Sequence, residues 1–249
     1  MRYLGRFAII FFLSLSLSAF AQDGDDFVFA QLKYDGGDWD PHPKAYEEIL
    51  YYLISTTNVR TEIKREVVRA DDPVLFQRPF LYLAGNGDFN PFSQREINSL
   101  RRYLSGGGFL LVDDCSSSLD EDFYKAMKRE LKRILPDMEF APLDQEHAIF
   151  YSFYLKPMVR GLTVRKKELE AITLDKDTVV LYSANNLAGV WERDALGNWL
   201  SDPFPFGEEQ RMEAMKLTLN IIMYALTGSY KKDALHQKAI KEKLRRGLR

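Results

Sequence analysis

Cysteine is almost absent from this chain, since Cys115 is the only one among 249 residues. An intramolecular disulfide is therefore excluded. Exported proteins often use disulfides, so this fold must be stabilised by its apolar core instead. The single thiol has two interpretations: it is either a small apolar side chain packed in the interior or a reactive group.

Long apolar runs are also scarce. The first one, residues 7–17, follows Arg2 and Arg6 and leads to the small residues at 19–21. This order of charged, apolar and small residues predicts a secretory signal peptide over residues 1–21. The run is shorter than the ~20 residues of a membrane-spanning helix, and an uncleaved anchor is the alternative. We expect the rest of the chain to be exported, periplasmic or extracellular, without a transmembrane span.

An excess of positive charge is the third missing feature. The formal net charge is −2, and removal of the predicted signal peptide leaves 32 Lys and Arg against 36 Asp and Glu. A mildly acidic protein is unsuited to general nucleic-acid binding, which depends on neutralising phosphates. The exception is a basic tail, residues 229–249, with eight Lys or Arg and aliphatic residues loosely on one side. We predict a helical tail that is either solvated or in weak contact with an anionic membrane surface.

Strand and helix patterns alternate along the remaining chain, and they predict one α/β domain over residues 22–228. Strands are predicted at 27–34, 59–68, 80–84 and 109–112, with helices at 43–55, 93–106 and 120–135 between and after them. Further strands are predicted near 138–141, 170–174 and 178–182, and a last helix at 208–226. This alternation is typical of a doubly wound, mainly parallel sheet with flanking helices in three layers. The alternating apolar pattern of 59–68 places that strand near a sheet edge.

Polar residues recur where the predicted strands end. Ligands of parallel α/β sheets bind outside the carboxyl ends of the strands, where the loops diverge. We therefore predict a ligand-binding site there, formed by Asp35, Gly36, Gly37, Trp39, Gly85, Asn86, Asp88, Asp113, Asp114, Asn185, Asn186 and Glu192. No cofactor and no metal-ligand motif is predicted.

Cys115 directly follows a buried strand and precedes a helix, which is where α/β hydrolytic enzymes carry a nucleophile. A thiol needs a base or a helix N-terminus to lower its pKa, and His147 is the predicted base. Asp113 and Asp114 immediately precede the thiol, however, and negative charge raises a thiol pKa. These two carboxylates are adjacent on a strand, so they point to opposite faces and only one is expected to look into a cleft.

Several stretches resemble known families. The Gly-Gly-Phe-Leu-Leu-Val-Asp-Asp-Cys sequence at 107–115 and the segment 80–87 are similar to class I glutamine amidotransferases. The segment 146–150 resembles the His-containing part of trehalose-utilisation-type members of that superfamily. An exported bacterial family, the domain of unknown function numbered 4159, is more similar still. Its resemblance covers residues 32–39, 72–76, 107–115, 182–186 and 220–228. The resemblance implies a glutamine amidotransferase-like, flavodoxin-like fold without an assigned activity.

Three functions fit these patterns. The first is a non-catalytic module of the cell envelope that binds a protein or a small ligand. The second is a hydrolase or amidase with Cys115 as nucleophile and His147 as base. The third is a divalent-cation or carbohydrate site, with Trp39 or Trp191 as a stacking face and the carboxylates of Asp35, Asp38, Asp88, Asp113 and Asp114 as ligands.

Overall fold

The structure, a computed structural model, describes residues 26–116 and 120–227. The predicted signal peptide at 1–21 and the predicted helical tail at 229–249 lie outside the described residues. No helix within the described residues combines the length and the apolar character that a membrane span requires.

A seven-stranded sheet forms the centre of the fold. Its strands are β1 (Phe27–Leu32), β2 (Thr61–Val68), β3 (Phe80–Gly85), β4 (Phe109–Asp114), β5 (Ala141–Pro142), β6 (Glu170–Leu174) and β7 (Asp177–Ser183). They are ordered β2-β1-β3-β4-β7-β6-β5. The first five in this order run parallel, whereas β6 is antiparallel to β7 and β5 is antiparallel to β6. The predicted α/β class with a mainly parallel sheet is confirmed, and β2 lies at the sheet edge as predicted.

Within the described residues, four α-helices cover the two faces of the sheet. They are α1 (Ala45–Thr56), α2 (Gln94–Ser105), α3 (Asp122–Ile134) and α4 (Gly207–Thr227). Side chains of α1 and α4 pack with one core, and those of α2 and α3 pack with the other. Strand β3 supplies both cores by alternation, with Phe80 and Tyr82 in the first and Leu81 and Leu83 in the second. Central parallel strands are apolar on both faces for this reason.

The helix α2 begins with a capping box. Ser93 Oγ accepts a hydrogen bond from the Glu96 amide at 3.3 Å, and the Glu96 carboxylate accepts one from the Ser93 amide at 2.8 Å. The start of α3 differs from the prediction. Asp120 accepts the Asp122 amide at 2.8 Å, but the helix begins two residues later, after Glu121, which makes no side-chain cap.

The strand predicted at 138–141 is much shorter in the structure. Only Ala141 and Pro142 pair with β6, because proline has no amide hydrogen to extend a ladder. The residues just before it serve the core instead, since Met138 and Phe140 pack against the cluster of α2 and α3.

Two long irregular segments, 143–169 and 184–206, are held by three buried amide side chains. Asn185 bonds to the backbone of Val159, Arg165 and Lys166. Gln210 of α4 bonds to that of Gly161, Leu162, Phe204 and Phe206. Asn220 of α4 bonds to that of Ile149, Phe153 and Tyr154. Each amide replaces the secondary-structure partners that these segments lack.

Candidate functional site

The carboxylate of Asp113 lies at the carboxyl end of β4, on the face covered by α1 and α4, and it is fully buried. It accepts hydrogen bonds from the amides of Leu187 and Ala188, both at 2.8 Å, and from the Tyr82 hydroxyl at 3.0 Å. Burial raises the pKa of this carboxyl, while the three donors favour its charged form. Asp113 therefore anchors the turn that follows β7 to the sheet.

The neighbouring Asp114 points to the opposite face, as alternation predicts. It accepts the Tyr182 hydroxyl at 2.5 Å and the Ser116 amide at 2.9 Å, and Arg165 Nη1 lies 3.1 Å from it. Its side chain is fully buried as well. Both carboxylates are buried, so neither faces an open cleft. Both carboxylates have their donors within the chain.

The thiol of Cys115 is held in its neutral form. Its Sγ lies 3.8 Å from the Asp113 carboxylate and 3.7 Å from the Asp113 carbonyl oxygen. Burial, together with the charges of Asp113 and Asp114, raises the thiol pKa well above its usual range. A nucleophilic cysteine requires the opposite shift. The side chain also packs at the margin of the core of α1 and α4.

His147, the predicted base, lies at the opposite end of the parallel strands, near the start of β7. Its Nδ1 accepts the Ile149 amide at 3.2 Å, so Nε2 carries the hydrogen that bonds to Thr178 Oγ1 at 3.1 Å. Thr178 is at the start of β7, whereas Asp113 pairs with Ser183 at its end. These ends are roughly 17 Å apart along the strand. The predicted Cys115–His147 pair is therefore wrong, and burial lowers the pKa of His147 in its own packed site.

This arrangement predicts slow alkylation of Cys115. In the folded protein at pH 7, we expect iodoacetamide to react at least about 100-fold more slowly than with a free cysteine, because the thiolate is disfavoured. The rate rises with pH and is unchanged in His147→Ala. Protein unfolded in urea, the control, reacts at the ordinary rate. Fast labelling at pH 7 that disappears in His147→Ala would contradict the assignment.

The carboxylates that follow β1 and β3 are paired with residues of the same chain. Asp35 pairs with Arg69 at 2.8 Å, and Asp88 with Arg129 at 3.0 Å. The hydrogen bonds from these arginines lower the pKa of both carboxyls. Asp38 accepts the side-chain amide of Asn86 at 2.9 Å. These pairs fix the loops to neighbouring elements. They also occupy part of the hydrogen-bonding capacity of each carboxylate.

Three of the predicted site glycines are required by packing. A Cβ at Gly85 would lie 2.2 Å from Phe123 Cε2 and 2.3 Å from the Tyr34 hydroxyl. Gly36 has φ of +81°, and a Cβ there would lie 2.2 Å from Asn90 Cγ. Gly37 follows in the same turn, against the Cβ of Phe89 at 2.9 Å. Close packing explains these glycines without a ligand.

The predicted residues after β7 are also used within the fold. The side chain of Asn186 accepts the Gly189 amide at 2.9 Å. Glu192 accepts the Lys44 amide at 3.2 Å and lies 2.8 Å from His42 Nδ1. His42 was missed by sequence reasoning. The available signal was that His42 follows β1 and Glu192 follows β7, so both lie at the same edge of a parallel sheet.

The metal and carbohydrate interpretations find little support. Among residues 26–116 and 120–227, no group of three His, Cys, Asp or Glu side chains is placed to hold a metal ion. Trp191 is buried in the core and cannot stack on a sugar. The ring of Trp39 already has two cations of the chain near it, Lys33 Nζ at 5.2 Å and the Arg65 guanidinium at 5.7 Å from its centre.

Six exposed apolar side chains lie on α4 or on the segments that its side chains bind. They are 40–76% exposed, and we call them the apolar strip: Phe153, Leu155, Met158, Phe204, Phe206 and Met212. Exposed apolar surface of this kind marks interaction sites in soluble proteins.

The backbone behind the strip is fixed to α4 at successive points. Asn220 holds the start of the segment 153–162, and Glu213 accepts the Met158 amide at 2.8 Å. Arg160 reaches Glu209 at 3.3 Å and lies 4.3 Å from the centre of the Phe206 ring. The segment therefore follows α4 over eleven residues, or roughly 17 Å. Side chains held in this way are presented on a pre-organised surface.

Carboxylates surround the Phe204 and Phe206 end of the strip. Asp202, Glu208 and Glu209 have highly exposed side chains. Their cationic partners lie beneath them, since Arg211 is buried and the Arg160 side chain is only 12% exposed. Arg211 also donates to the carbonyl oxygens of residues 190 and 201, which fixes the loop before α4. The outermost charges at this end are therefore negative.

One protein-family model matches almost the whole of the described fold. The model described as "Domain of unknown function (DUF4159)" matches residues 28–226, from β1 to the last turn of α4. No curated protein matches the chain. Because the family model covers well over half of the sequence, the chain belongs to the DUF4159 family.

Proposed function

We propose that this chain is an exported, non-catalytic module that binds a protein partner through the apolar strip. The observation that carries the proposal is the strip itself, six exposed apolar side chains on a backbone fixed to α4. Burial of such side chains in a complex releases apolar surface from water, which is the main driving force of association. Because the backbone is already ordered, little conformational entropy is lost on binding.

The residues at the carboxyl ends of the parallel strands support a structural role for this region rather than a catalytic one. The thiol pKa of Cys115 is raised, and His147 lies at the opposite end of these strands. Asp113 and Asp114 are buried, and their hydrogen-bond partners belong to the chain. A catalytic acid or base must come within hydrogen-bond reach of the substrate, and buried carboxylates offer no such reach. The hydrolase and the metal alternatives therefore have no observation in their favour.

The charges around the strip define the chemistry of the partner. The exposed carboxylates of Asp202, Glu208 and Glu209 favour a protein segment with apolar residues and flanking Lys or Arg. The same carboxylates disfavour an anionic membrane surface. A basic, amphipathic segment of an envelope protein is therefore the proposed occupant.

Export and the finer fold class belong to this proposal. The order of residues 1–21 supports cleavage by a signal peptidase. The three-layer arrangement and the position of Cys115 directly after β4 support a glutamine amidotransferase-like architecture. N-terminal sequencing of protein from the periplasm or medium tests export, and the expected first residue is Gln22.

Photo-cross-linking tests the proposed surface. A photoreactive residue at Met158 lies within the strip, and one at Leu196 gives a matched control, because Leu196 is 87% exposed but lies in a separate turn. We expect irradiation of cells to yield a discrete adduct from position 158 alone. Mass spectrometry then identifies the partner segment, which is expected to be apolar and basic.

Each alternative outcome has a clear meaning. Equal adducts from both positions, or none from position 158, would contradict the proposal. An adduct with an acidic segment or with lipid would contradict the proposed partner chemistry. Turnover of an amide or ester by the purified protein, abolished in Cys115→Ser, would contradict the non-catalytic assignment.

A further inference from the structure

The outer edge of β2 is unpaired in the described chain. This strand has eight residues and ends the sheet, with β1 as its only neighbour in the strand order. An edge strand presents a row of free backbone donors and acceptors, which is a template for another strand. Natural edges are short, charged or covered; β2 carries four charged residues, but it is eight residues long and two of its exposed side chains are apolar.

Apolar side chains accompany this edge. Ile63 and Val67 are 49% and 44% exposed. Val67 shares one face of β2 with Arg65 by the alternation of a strand, and Ile63 lies two residues before Arg65, in the stretch where β2 pairs irregularly with β1. Ile54 of α1 is also exposed, and it lies two turns from Tyr46, whose ring is 5.1 Å from the Arg65 guanidinium. Because residues four and eight apart share a helix side, Ile54 is on the flank of α1 that faces β2.

The sequence of β2 is complementary to itself. We propose that β2 pairs antiparallel with β2 of a second copy of this chain, about a two-fold axis at Arg65. In this register Ile63 lies opposite Val67 of the second copy, and Lys64 lies opposite Glu66. Because a two-fold axis relates the two copies, each pair forms twice. The interface therefore has two Ile63–Val67 pairs and two Lys64–Glu66 pairs. Such cross-strand pairs are the unit of sheet stabilisation.

The axial residue does not oppose this pairing. The Arg65 guanidinium is turned inward, where Nη2 donates to Asp40 at 2.6 Å and Nη1 donates to Gln31 at 2.7 Å. The two copies of Arg65 therefore keep their charges apart. Glu66 also bonds to Arg78 at 2.6 Å, and this leaves its second oxygen for a partner.

Neighbouring registers are excluded by charge. An axis at Lys64 places Glu62 opposite Glu66, and an axis at Glu66 places the two Glu66 side chains against each other. Like charges directly opposite are destabilising. The axis at Arg65 is thus favoured over the two axes next to it. The dimer joins two seven-stranded sheets. The apolar strip of each copy is formed by other elements, so it stays available to bind a partner.

A charge-swap cycle on the full chain tests the dimer. By sedimentation equilibrium we expect the natural protein to form a dimer below about 100 µM. Lys64→Glu and Glu66→Lys are each expected to weaken it about tenfold, because two attractive pairs become repulsive. The double variant restores the affinity to within about threefold. Lys125→Glu, the control, changes an exposed lysine of α3 and leaves the dimer unchanged.

Other results would overturn the proposal. One is a protein that stays monomeric at about 100 µM. Residues 62–64 of β2, which lie where β1 has a single residue between Phe27 and Phe29, would then be a bulge that keeps the edge unpaired. Another is a dimer that ignores the single charge reversals, or that the double variant does not restore. Circular dichroism of each variant confirms that it folds, so that loss of the dimer is not loss of the structure.

Discussion

Replacement of Asp113 by alanine is expected to lower the free energy of unfolding by about 3–5 kcal/mol. The carboxylate accepts the amides of Leu187 and Ala188 and the hydroxyl of Tyr82, and all three donors are buried with it. Without the carboxylate each donor remains in the interior with no acceptor. An unsatisfied buried donor costs about 1–3 kcal/mol, far more than the net value of one hydrogen bond.

Urea denaturation at pH 7 measures this effect, with Asp38→Ala as the control. Asp38 is exposed and accepts one side-chain bond from Asn86, so its loss is expected to cost less than about 1 kcal/mol. If Asp113→Ala is as stable as Asp38→Ala, the turn after β7 does not depend on this carboxylate. A large loss agrees with Asp113 as an anchor of the fold.

Asn220→Asp is the second change with a large expected effect, a loss of about 3 kcal/mol or more. The Asn220 amide donates to the carbonyl oxygens of Ile149 and Tyr154 and accepts from the amides of Phe153 and Tyr154. An aspartate of the same shape cannot donate, so it faces two carbonyl oxygens with a buried charge. Protonation offsets this only at acid pH, and the loss is therefore expected to shrink below about pH 5.

Hydrogen exchange locates the same effect. Amides of residues 149–158 are expected to lose protection in Asn220→Asp, because the side chain fixes that segment to α4. The matched control is Asn98→Asp on the exposed side of α2, which keeps protection and stability within about 0.5 kcal/mol. Unchanged exchange at 149–158 would contradict the role given to Asn220.

Much of the fold follows from local sequence. Strands β3 and β4 are short apolar runs bounded by turns, and the Ser93 and Glu96 pair marks the start of α2 without any tertiary information. The alternating apolar pattern of 59–68 likewise predicts an edge strand from local sequence alone. β5 was overestimated, because Met138 and Phe140 look like strand residues but pack as core side chains without pairing.

The candidate site could be predicted only in part. Sequence places Asp113, Asp114 and Cys115 at the carboxyl edge, because the strand ends there. It does not reveal that the donors to Asp113 come from Leu187 and Ala188, more than 70 residues later. Nor does it say at which end of the strands a loop residue lies. For this reason the predicted pairing of His147 with Cys115 places His147 at the wrong end of the sheet.

The apolar strip was not predicted for a different reason. Phe153, Phe204 and Phe206 are typical core residues, and an apolar side chain is assigned to the interior unless its neighbours are known. Their exposure depends on Gln210 and Asn220, which hold the backbone on the outer side of α4. Buried polar side chains within α4 were the available signal, since they indicate irregular backbone that needs partners.

The affinity of the cross-linked partner for purified variants tests the central claim most directly. If the strip is the binding surface, Phe204→Ser combined with Phe206→Ser weakens binding at least about 30-fold, since buried aromatic anchors dominate interfaces. Leu196→Ser stays within about twofold, and all proteins keep the same melting temperature. Equal affinities of the double variant and the natural protein would contradict the account, and the apolar strip would then not be the site of binding.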